Sequence, residues 1–550
     1  MKKGFGISLT DGKINFDIRF ENQFFDNLYF KSQKFEFAIE GVVINQKQLI
    51  DKFAVSDPEE LYSTLIQKYG IRFLNELEGE YCGAYQDFET QKLFIFMNFT
   101  ATRKLFYYSK NEILLADVNL ECLKNKMNST GIPVEPDIDS AYSILVCDNL
   151  LENNSPVKDV KRLMDREYLE TNLQTSKTEL KSFFNYDEIE RFSGNKEQAL
   201  NLIQEAFVEG VKLEYGKDTE LGKGHFALLS GGLDSRLALI CAIKEGFQPH
   251  QTMCFSQKGY WDEIIARKIS KKYNFPFTFI PLNGAEYLTD IDKVVDISDG
   301  LLRFTGGVHT NYSYKFIDRK NTGIIHSGQL GDGVLGGFNR APYKQPPGKA
   351  KIVVSDFYWD KFSSFFDKTI QGMDSEELFY LRNIGYNRAV MGSFIAEDFG
   401  TYQCSPFMTS FYLKLVLSFS EEWKYNQKLY LEWMNKFYPE ATKFIWERTL
   451  MRPDKYWKTV IGDKVVKTAY IALTAKLGLM KEKSVMANYE YYYKRSPEMI
   501  SFFDNYFKAN LELIENTELK SDLAKLYQAG GLDEKVRVLT VIAYAKRFFQ

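Results

Sequence analysis

Phe226–Leu239 reads FALLSGGLDSRLAL. The apolar run Phe226–Leu229 has the length and composition of a short buried strand. Ser230-Gly231-Gly232-Leu233-Asp234-Ser235 follows, and Arg236–Ala242 then has the pattern of a helix. Strand, small-residue turn and helix start together make an anion site. Two glycines let the backbone approach a ligand closely. The first-turn N–H groups of the helix are unpaired, and the positive end of its dipole lies behind them. Ser230 and Ser235 can add hydroxyl donors. Asp234 belongs beside a phosphate only with a cation between them, which favours Mg²⁺. A Gly-Gly turn capped by Ser and Asp needs no ligand, so the weight rests on the whole SGGLDS string behind its apolar run.

That string resembles the pyrophosphate-binding loop of the ATP pyrophosphatases, and SGGLDSR is similar to asparagine synthetase and its relatives. No Gly-Lys-Ser or Gly-Lys-Thr follows, so it is not a Walker loop. The resemblance implies ATP and Mg²⁺. It implies nucleotide contacts from Leu228, Ser230, Gly231, Gly232, Leu233, Asp234 and Ser235. Further contacts are implied at Phe255, Ser256 and Gly328.

Downstream, Gln251–Ser256 reads as a second strand, Trp261–Ile269 as a helix, and Phe277–Leu282 as a third strand. Strand and helix alternating at this spacing predict a parallel, doubly wound sheet with ligands at the carboxyl ends of its strands. A fourth strand, Gly323–His326, runs into SGQLGDGVLGGF (Ser327–Phe338), similar to a Gly-rich loop of the same family. Asp332 matches the acid that shares Mg²⁺ with Asp234; Gln329 and Gly333 replace two family glutamates. Ser405–Phe419 and Trp446–Lys458 also resemble family segments. There Gln403 (or Cys404) and Thr409 replace an Arg and an Asp, Lys428 and Arg448 match basic positions, and Leu450 sits where the catalytic lysine is expected. Arg452, Lys455 and Lys458 are the cations near enough along the chain to replace it. As a solvated basic face, the cluster would need no catalytic role.

Upstream, residues 1 to about 125 read as mostly β. Phe16–Phe20, Phe35–Ile44, Tyr81–Asp87, Leu93–Met97, Lys104–Tyr108 and Ile113–Ala116 are the strands, and Asn45–Phe53 and Glu59–Tyr69 the helices. Ser56-Asp57-Pro58 gives the second helix a cap and a first-turn proline. IEGVVIN (Ile39–Asn45), Ser56–Asp87, Lys104–Asp117 and Pro156–Glu170 resemble, in order, segments of class II glutamine amidotransferase domains. That family attacks glutamine with an N-terminal cysteine whose own α-amine is the base. Here position 2 is Lys2, the first cysteine is Cys82, and Glu40-Gly41-Val42 replaces the Asn-Gly-Glu that holds glutamine; only the acid matching Asp57 survives. A glutaminase-like fold without glutaminase activity is expected.

The 550 residues therefore divide into a glutamine amidotransferase-like domain over 1–190 and an asparagine synthetase-like domain over 194–550. The fold class is α/β: an N-terminal Ntn-hydrolase-like αββα sandwich, then the doubly wound domain with extra helices, opened by Lys196–Leu213. The expected reaction is adenylation of a substrate carboxylate and transfer of ammonia or an amine to it. The alternatives are an amine-using or sugar-acid-amidating relative, similar to β-lactam synthetase, and a nucleotide-binding scaffold without turnover. Hydrophobic content of 45% and 34 Tyr with 45 Phe can fill large cores. Formal charge is 70 − 73 = −3, with no basic excess for nucleic acid. Six scattered cysteines form no CxxC or CxxH set, against a zinc site or a disulfide framework. Neither a signal peptide nor a membrane span is visible; Val465–Met480 is interrupted by Lys467 and Lys476 and reads as an amphipathic helix. A cytoplasmic protein is the simplest expectation, with a homodimer as one option for its assembly. Residues 459–550 read as helical and receive no chemistry.

Overall fold

The computed structural model describes residues 2–22, 24–476 and 485–550. The first half of the chain builds two antiparallel sheets. One has strand order β2-β1-β8-β7-β9, from β1 (Phe5–Thr10), β2 (Lys13–Ile18), β7 (Phe106–Lys110), β8 (Ile113–Asp117) and β9 (Lys161–Arg162). The other is β11-β10-β6-β5-β4-β3, from β3 (Leu28–Lys31), β4 (Phe35–Val43), β5 (Gly79–Asp87), β6 (Lys92–Met97), β10 (Glu167–Asn172) and β11 (Lys177–Ser182). Ile7, Leu9, Leu114 and Ala116 of the first sheet share one buried cluster with Ala84, Leu93, Ile95 and Leu169 of the second, so the sheets pack face to face. Helices α1 (Gln46–Phe53) and α2 (Pro58–Tyr69) cover the second sheet, where Leu49, Leu61 and Leu65 meet Phe37, Ile39 and Tyr85. Helix α3 (Leu120–Ser129) lies on the first. This is the αββα layering expected. With both faces covered, β4 is buried at every residue, Glu36 and Glu40 included, so FEFAIEGVV shows no alternation of apolar with solvent-facing positions.

Strand β1 is absent from the sequence reading, although Asp11-Gly12 marks its turn. Asp11 and Gly12 take φ of 51° and 71°, and Thr10 pairs with Lys13, the two-residue hairpin such a dipeptide favours. Strand β7 starts two residues later than Lys104. The Lys104 side chain points into the second half of the chain, 2.6 Å from Asp299 Oδ2. At α2 the Asp57 carboxylate accepts the Glu60 N–H at 2.9 Å, so the surviving acid works as a helix cap.

Helix α4 (Ile138–Cys147) and then α5 (Lys196–Glu220) lead to a wholly parallel sheet of order β14-β13-β12-β15-β16. Its strands are β12 (Gly224–Leu228), β13 (Pro249–Ser256), β14 (Phe277–Pro281), β15 (Thr322–His326) and the short β16 (Gln403–Cys404), which sequence does not announce. Helices α6 (Asp234–Lys244) and α7 (Trp261–Tyr273) make the crossovers to β13 and β14. The chain then returns to the other side of β12 for β15. The order therefore reverses between β12 and β15, and the crevice of an open α/β sheet lies at such a reversal. The loops Ser230–Leu233 and Ser327–Asp332 leave those two strands there.

Helices dominate the remainder, and the last, Leu532–Phe549, packs back on Ile291–Ser298 and α4. The expected amphipathic helix is a helix over Lys467–Lys476, but Val465 and Leu473 are exposed; Gly478–Met480 and Leu477 lie outside the described residues. All six cysteines are unpaired. No described helix is long and apolar enough to cross a membrane.

Candidate nucleotide site

The β12–α6 turn is held by its own side chains. Ser235 Oγ accepts the Ser230 N–H at 3.1 Å, and Ser230 Oγ accepts the Gly232 N–H at 3.1 Å. The two hydroxyls are 3.1 Å apart. Gly231 N–H donates to Asp262 Oδ1 at 2.6 Å, which ties the turn to the start of α7. Behind it Arg236 is fully buried, its guanidinium donating to the carbonyls of Gly231 and Ile445 at 2.9 Å each. The Arg of SGGLDSR is therefore a strut under the loop rather than a ligand group.

The Gly-rich loop after β15 lies directly on this turn. A Cβ on Gly328 would sit 2.2 Å from Ser235 N and 2.3 Å from the Asp234 carbonyl carbon. Backbone cannot yield to such a contact. Gly328→Ala is expected to push the two loops apart and abolish ATP binding by calorimetry while far-UV circular dichroism stays native. Unchanged affinity would refute the paired-loop site.

Between the loops is a cavity of about 270 Å³. Leu228, Ser230, Gly232, Asp234, Ser235, Phe255 and Gly328 line it, which brings together seven of the positions singled out in sequence. Three are not on the wall. Gly231 turns its N–H to Asp262, Leu233 packs in the core, and Ser256 is buried with its hydroxyl on the Gln257 carbonyl. Asp262 joins the wall instead, its carboxyl pushed up to about 6 chiefly by burial. Met486 also lines the cavity, and the carbonyls of Val485 and Met486 accept from Gln257 at 2.7 and 2.8 Å.

Asp234 is half-buried and Asp332 is exposed, and each raises the question of its charge. Burial, and then the negative charge of Asp332, hold the Asp234 carboxyl well above the usual carboxylate range. Asp332 is raised by burial, with Arg448 opposing the shift. The groups around them are neutral: Tyr430 donates its hydroxyl to Asp234 Oδ1 at 2.5 Å, and Gln427 donates to Asp332 Oδ2 at 3.1 Å. Arg448 reaches the pair only through Gln427 Oε1, at 3.1 Å. Two neighbouring carboxylates that repel each other, without a direct cation, fit a hard divalent ion.

Arg452, Lys455 and Lys458 are not brought to the cavity. Arg452 and Lys455 are exposed, and Lys458 is paired with Asp454 at 2.9 Å. Leu450 sits at φ 56° with its N–H on the Trp446 carbonyl. Besides Arg236, a second cation near the loop is Lys467. Its Nζ is 3.3 Å from Glu447 Oε1, Glu447 N–H donates to the Gly231 carbonyl at 3.3 Å, and Tyr260 donates its hydroxyl to the same carboxylate. Lys467 lies in the stretch to which sequence assigns no chemistry. Folding alone puts it there.

In the sandwich, Cys82 is fully buried opposite Glu40 in the β4–β5 register, and burial drives its thiol far up. The Arg103 guanidinium, also buried, lies 3.1 Å from Glu40 and 3.2 Å from Glu397. Lys2 is paired with Asp296 at 2.6 Å. A second cavity of about 300 Å³ opens here, lined by Lys2, Glu40, Lys104 and Glu397, whose charges are already matched by partners.

No curated protein matches the chain. Among solved structures, one titled as the allosteric regulatory enzyme of purine biosynthesis is 16% identical over 44% of this chain, with a TM-score of 0.23; the chain spans 57% of its length. Glutamine phosphoribosylpyrophosphate amidotransferase from B. subtilis, complexed with ADP and GMP, is 12% identical over 74% of this chain and 92% of that one, with a TM-score of 0.24. Both likenesses are weak, and the fold described above stands without them. The sequence match is specific: residues 202–392, from α5 through both glycine loops, carry the asparagine synthase domain. This chain therefore contains a domain of the asparagine synthase family.

Proposed function

We propose that the chain is an ATP-dependent ligase that activates a carboxylate as its adenylate and joins ammonia or an amine to it. The observation that carries this is the pairing of the Ser230–Ser235 turn with the Gly328 loop around one cavity, with Asp234 on its wall and Asp332 interacting with Asp234. The asparagine synthase family uses ATP, which fits such a site. The β- and γ-phosphates would lie on the α6 N-terminus and the Ser230 and Ser235 hydroxyls. Asp234 and Asp332 would hold Mg²⁺, which when bound neutralises charge on the phosphates. A substrate carboxylate oxygen attacks the α-phosphorus, and the bond to the bridging oxygen breaks to release pyrophosphate. The amine then attacks the acyl carbon, AMP leaves, and the amine loses its extra proton. Asp262 is the wall group whose ionisation lies near neutrality, and it suits that proton.

The far wall is Gln329, Gln403 and Ser327. Gln403 donates its amide to Gln329 Oε1 at 3.0 Å, and Gln329 donates to the Ala389 carbonyl. This subsite is neutral. We assign it to an uncharged polar portion of the acid, not to an amino-acid zwitterion. The test is pyrophosphate release from ATP across a panel of carboxylic acids, with ammonia and with amines. Activity confined to aspartate would overturn the subsite assignment; none with any acid would favour a scaffold without turnover.

Glutamine does not suit this reading as the nitrogen donor. Reactive cysteines need thiolate character and access, and Cys82 has neither. The chain is expected to release no glutamate from glutamine, with Cys82→Ala changing nothing. Glutamate release lost in that variant would restore the glutaminase.

A further inference from the structure

Away from the nucleotide cavity, α5 ends against β12 and β15 with three metal-ligating side chains turned together. Asp218 Oδ2 lies 3.0 Å from His225 Nδ1 and 2.6 Å from His326 Nε2, and all three atoms fall within 4.8 Å of one another. We propose that Asp218, His225 and His326 form a site for a borderline divalent transition ion of the zinc class.

Four observations carry the assignment. The atoms are correctly divided: Asp218 Oδ1 is taken by the Ile324 N–H at 2.7 Å, which leaves Oδ2 for the two imidazoles. The rings are held: Tyr215 stacks on His326 with centroids 3.6 Å apart and planes 12° from parallel. An outer partner is in place: Glu214 Oε2 lies 3.5 Å from His326 Nδ1, on the ring edge away from Asp218. A ligating histidine characteristically gives its other N–H to such a carboxylate. Finally, buried acid is in surplus: Glu214 Oε1 and Glu80 Oε2 have no hydrogen-bond partner, and Glu214 Oε2 has only the long contact to His326.

Ligands about 2.0–2.2 Å from a tetrahedral ion stand about 3.3 Å apart. To reach that, Asp218 Oδ2 moves about 0.3 Å from His225 Nδ1, now at 3.0 Å, and about 0.7 Å from His326 Nε2, now at 2.6 Å. Two imidazoles and one carboxylate favour zinc or cobalt over magnesium or calcium. Binding balances in protons. The ion would displace the protons that the two ring nitrogens now share with Asp218 Oδ2: His326 would keep a proton on Nδ1 toward Glu214, His225 would hold one on Nε2, any remaining proton would pass to solvent, and Asp218 would supply the negative charge. His225 is only half-buried, so solvent completes the coordination. An ion here would clamp the end of α5 to β12 and β15 directly beneath Ser327 and Gly328 of the nucleotide loop.

The probes are zinc(II) and cobalt(II) with the full chain carrying Asp234→Asn, which weakens the proposed magnesium pair as a competing site. One equivalent of zinc is expected to bind and raise the melting temperature. Cobalt(II) should give the visible bands of a low-coordinate nitrogen–oxygen site, without a thiolate charge-transfer band. Glu214→Gln should weaken binding about 10–100-fold, and His225→Ala by more than that. If His225→Ala does not fold, the cobalt spectrum of the parent decides. No zinc uptake would overturn the site, as would uptake unchanged in His225→Ala or a thiolate band from a cysteine. The three side chains would then form a hydrogen-bonded His–Asp–His chain only.

Discussion

Lys467→Ala is expected to slow ATP–pyrophosphate exchange about 10²–10³-fold, the cost of removing a donor aimed at charge that develops in the transition state. Negative charge grows at the α-phosphorus as the carboxylate attacks, and Leu450 supplies none of the compensation the family's lysine would. With Arg236 used as a strut under the loop, Lys467 is the further cation that folding brings near it, through Glu447 and its bond to the Gly231 carbonyl. ATP affinity by calorimetry should fall little, because the ground-state phosphates rest on backbone N–H groups and two hydroxyls. Arg452→Ala, Lys455→Ala and Lys458→Ala should exchange at near the parental rate. Should Lys467→Ala keep the parental rate while one of those three loses it, the nearer residues in sequence are the catalytic ones after all.

The second large effect concerns the acid pair, and it runs in opposite directions for binding and for stability. Asp234→Asn and Asp332→Asn each remove one anionic ligand from a hard cation, so Mg-dependent ATP binding should be lost or severely weakened in both. Without metal, Asp234→Asn should melt higher than the parent. The Asp234 carboxyl titrates well above its unfolded value near 3.9, so the folded state holds the extra proton. Stability then falls as pH rises from about 3.9 toward that raised value. Asparagine carries no such penalty and can still accept from Tyr430. The stabilisation should therefore be larger at pH 8 than at pH 5 and nearly absent at pH 4. A variant with parental ATP affinity, or one that melts lower at pH 8 without metal, would contradict a shared metal site of two repelling acids. Proteins commonly trade stability for a functional site in this way.

Much of this was legible in the chain. SGGLDS declared strand, turn and helix start because each step is local: an apolar run of strand length, two glycines, and the unpaired amides of a first turn. The four parallel strands β12–β15 were legible for the same reason, from alternation of short apolar runs with helical periods. Asp57 and Pro58 announced the start of α2. Where reading failed, the causes were tertiary. Strand β16 is two residues long and exists only because β15 offers it an edge. Strand β7 begins late because Lys104 is drawn into a buried pair with Asp299.

The sequence by itself determined the two architectures and the chemical character of the anion loop, since both depend on periodicity and on backbone freedom within about a dozen residues. It also showed that position 2 carries no cysteine. Only the tertiary structure decided which charges meet. Asp262, Lys467 and Met486 come from α7 and from beyond residue 460, yet join a loop near residue 230. Asp218, His225 and His326 converge although more than a hundred positions separate the first from the last. Coulomb interactions and metal coordination act over a few ångströms of space, whatever the separation along the chain. Linear proximity favoured Arg452, Lys455 and Lys458; packing turned them to solvent or to Asp454 and set Lys467 beside Glu447.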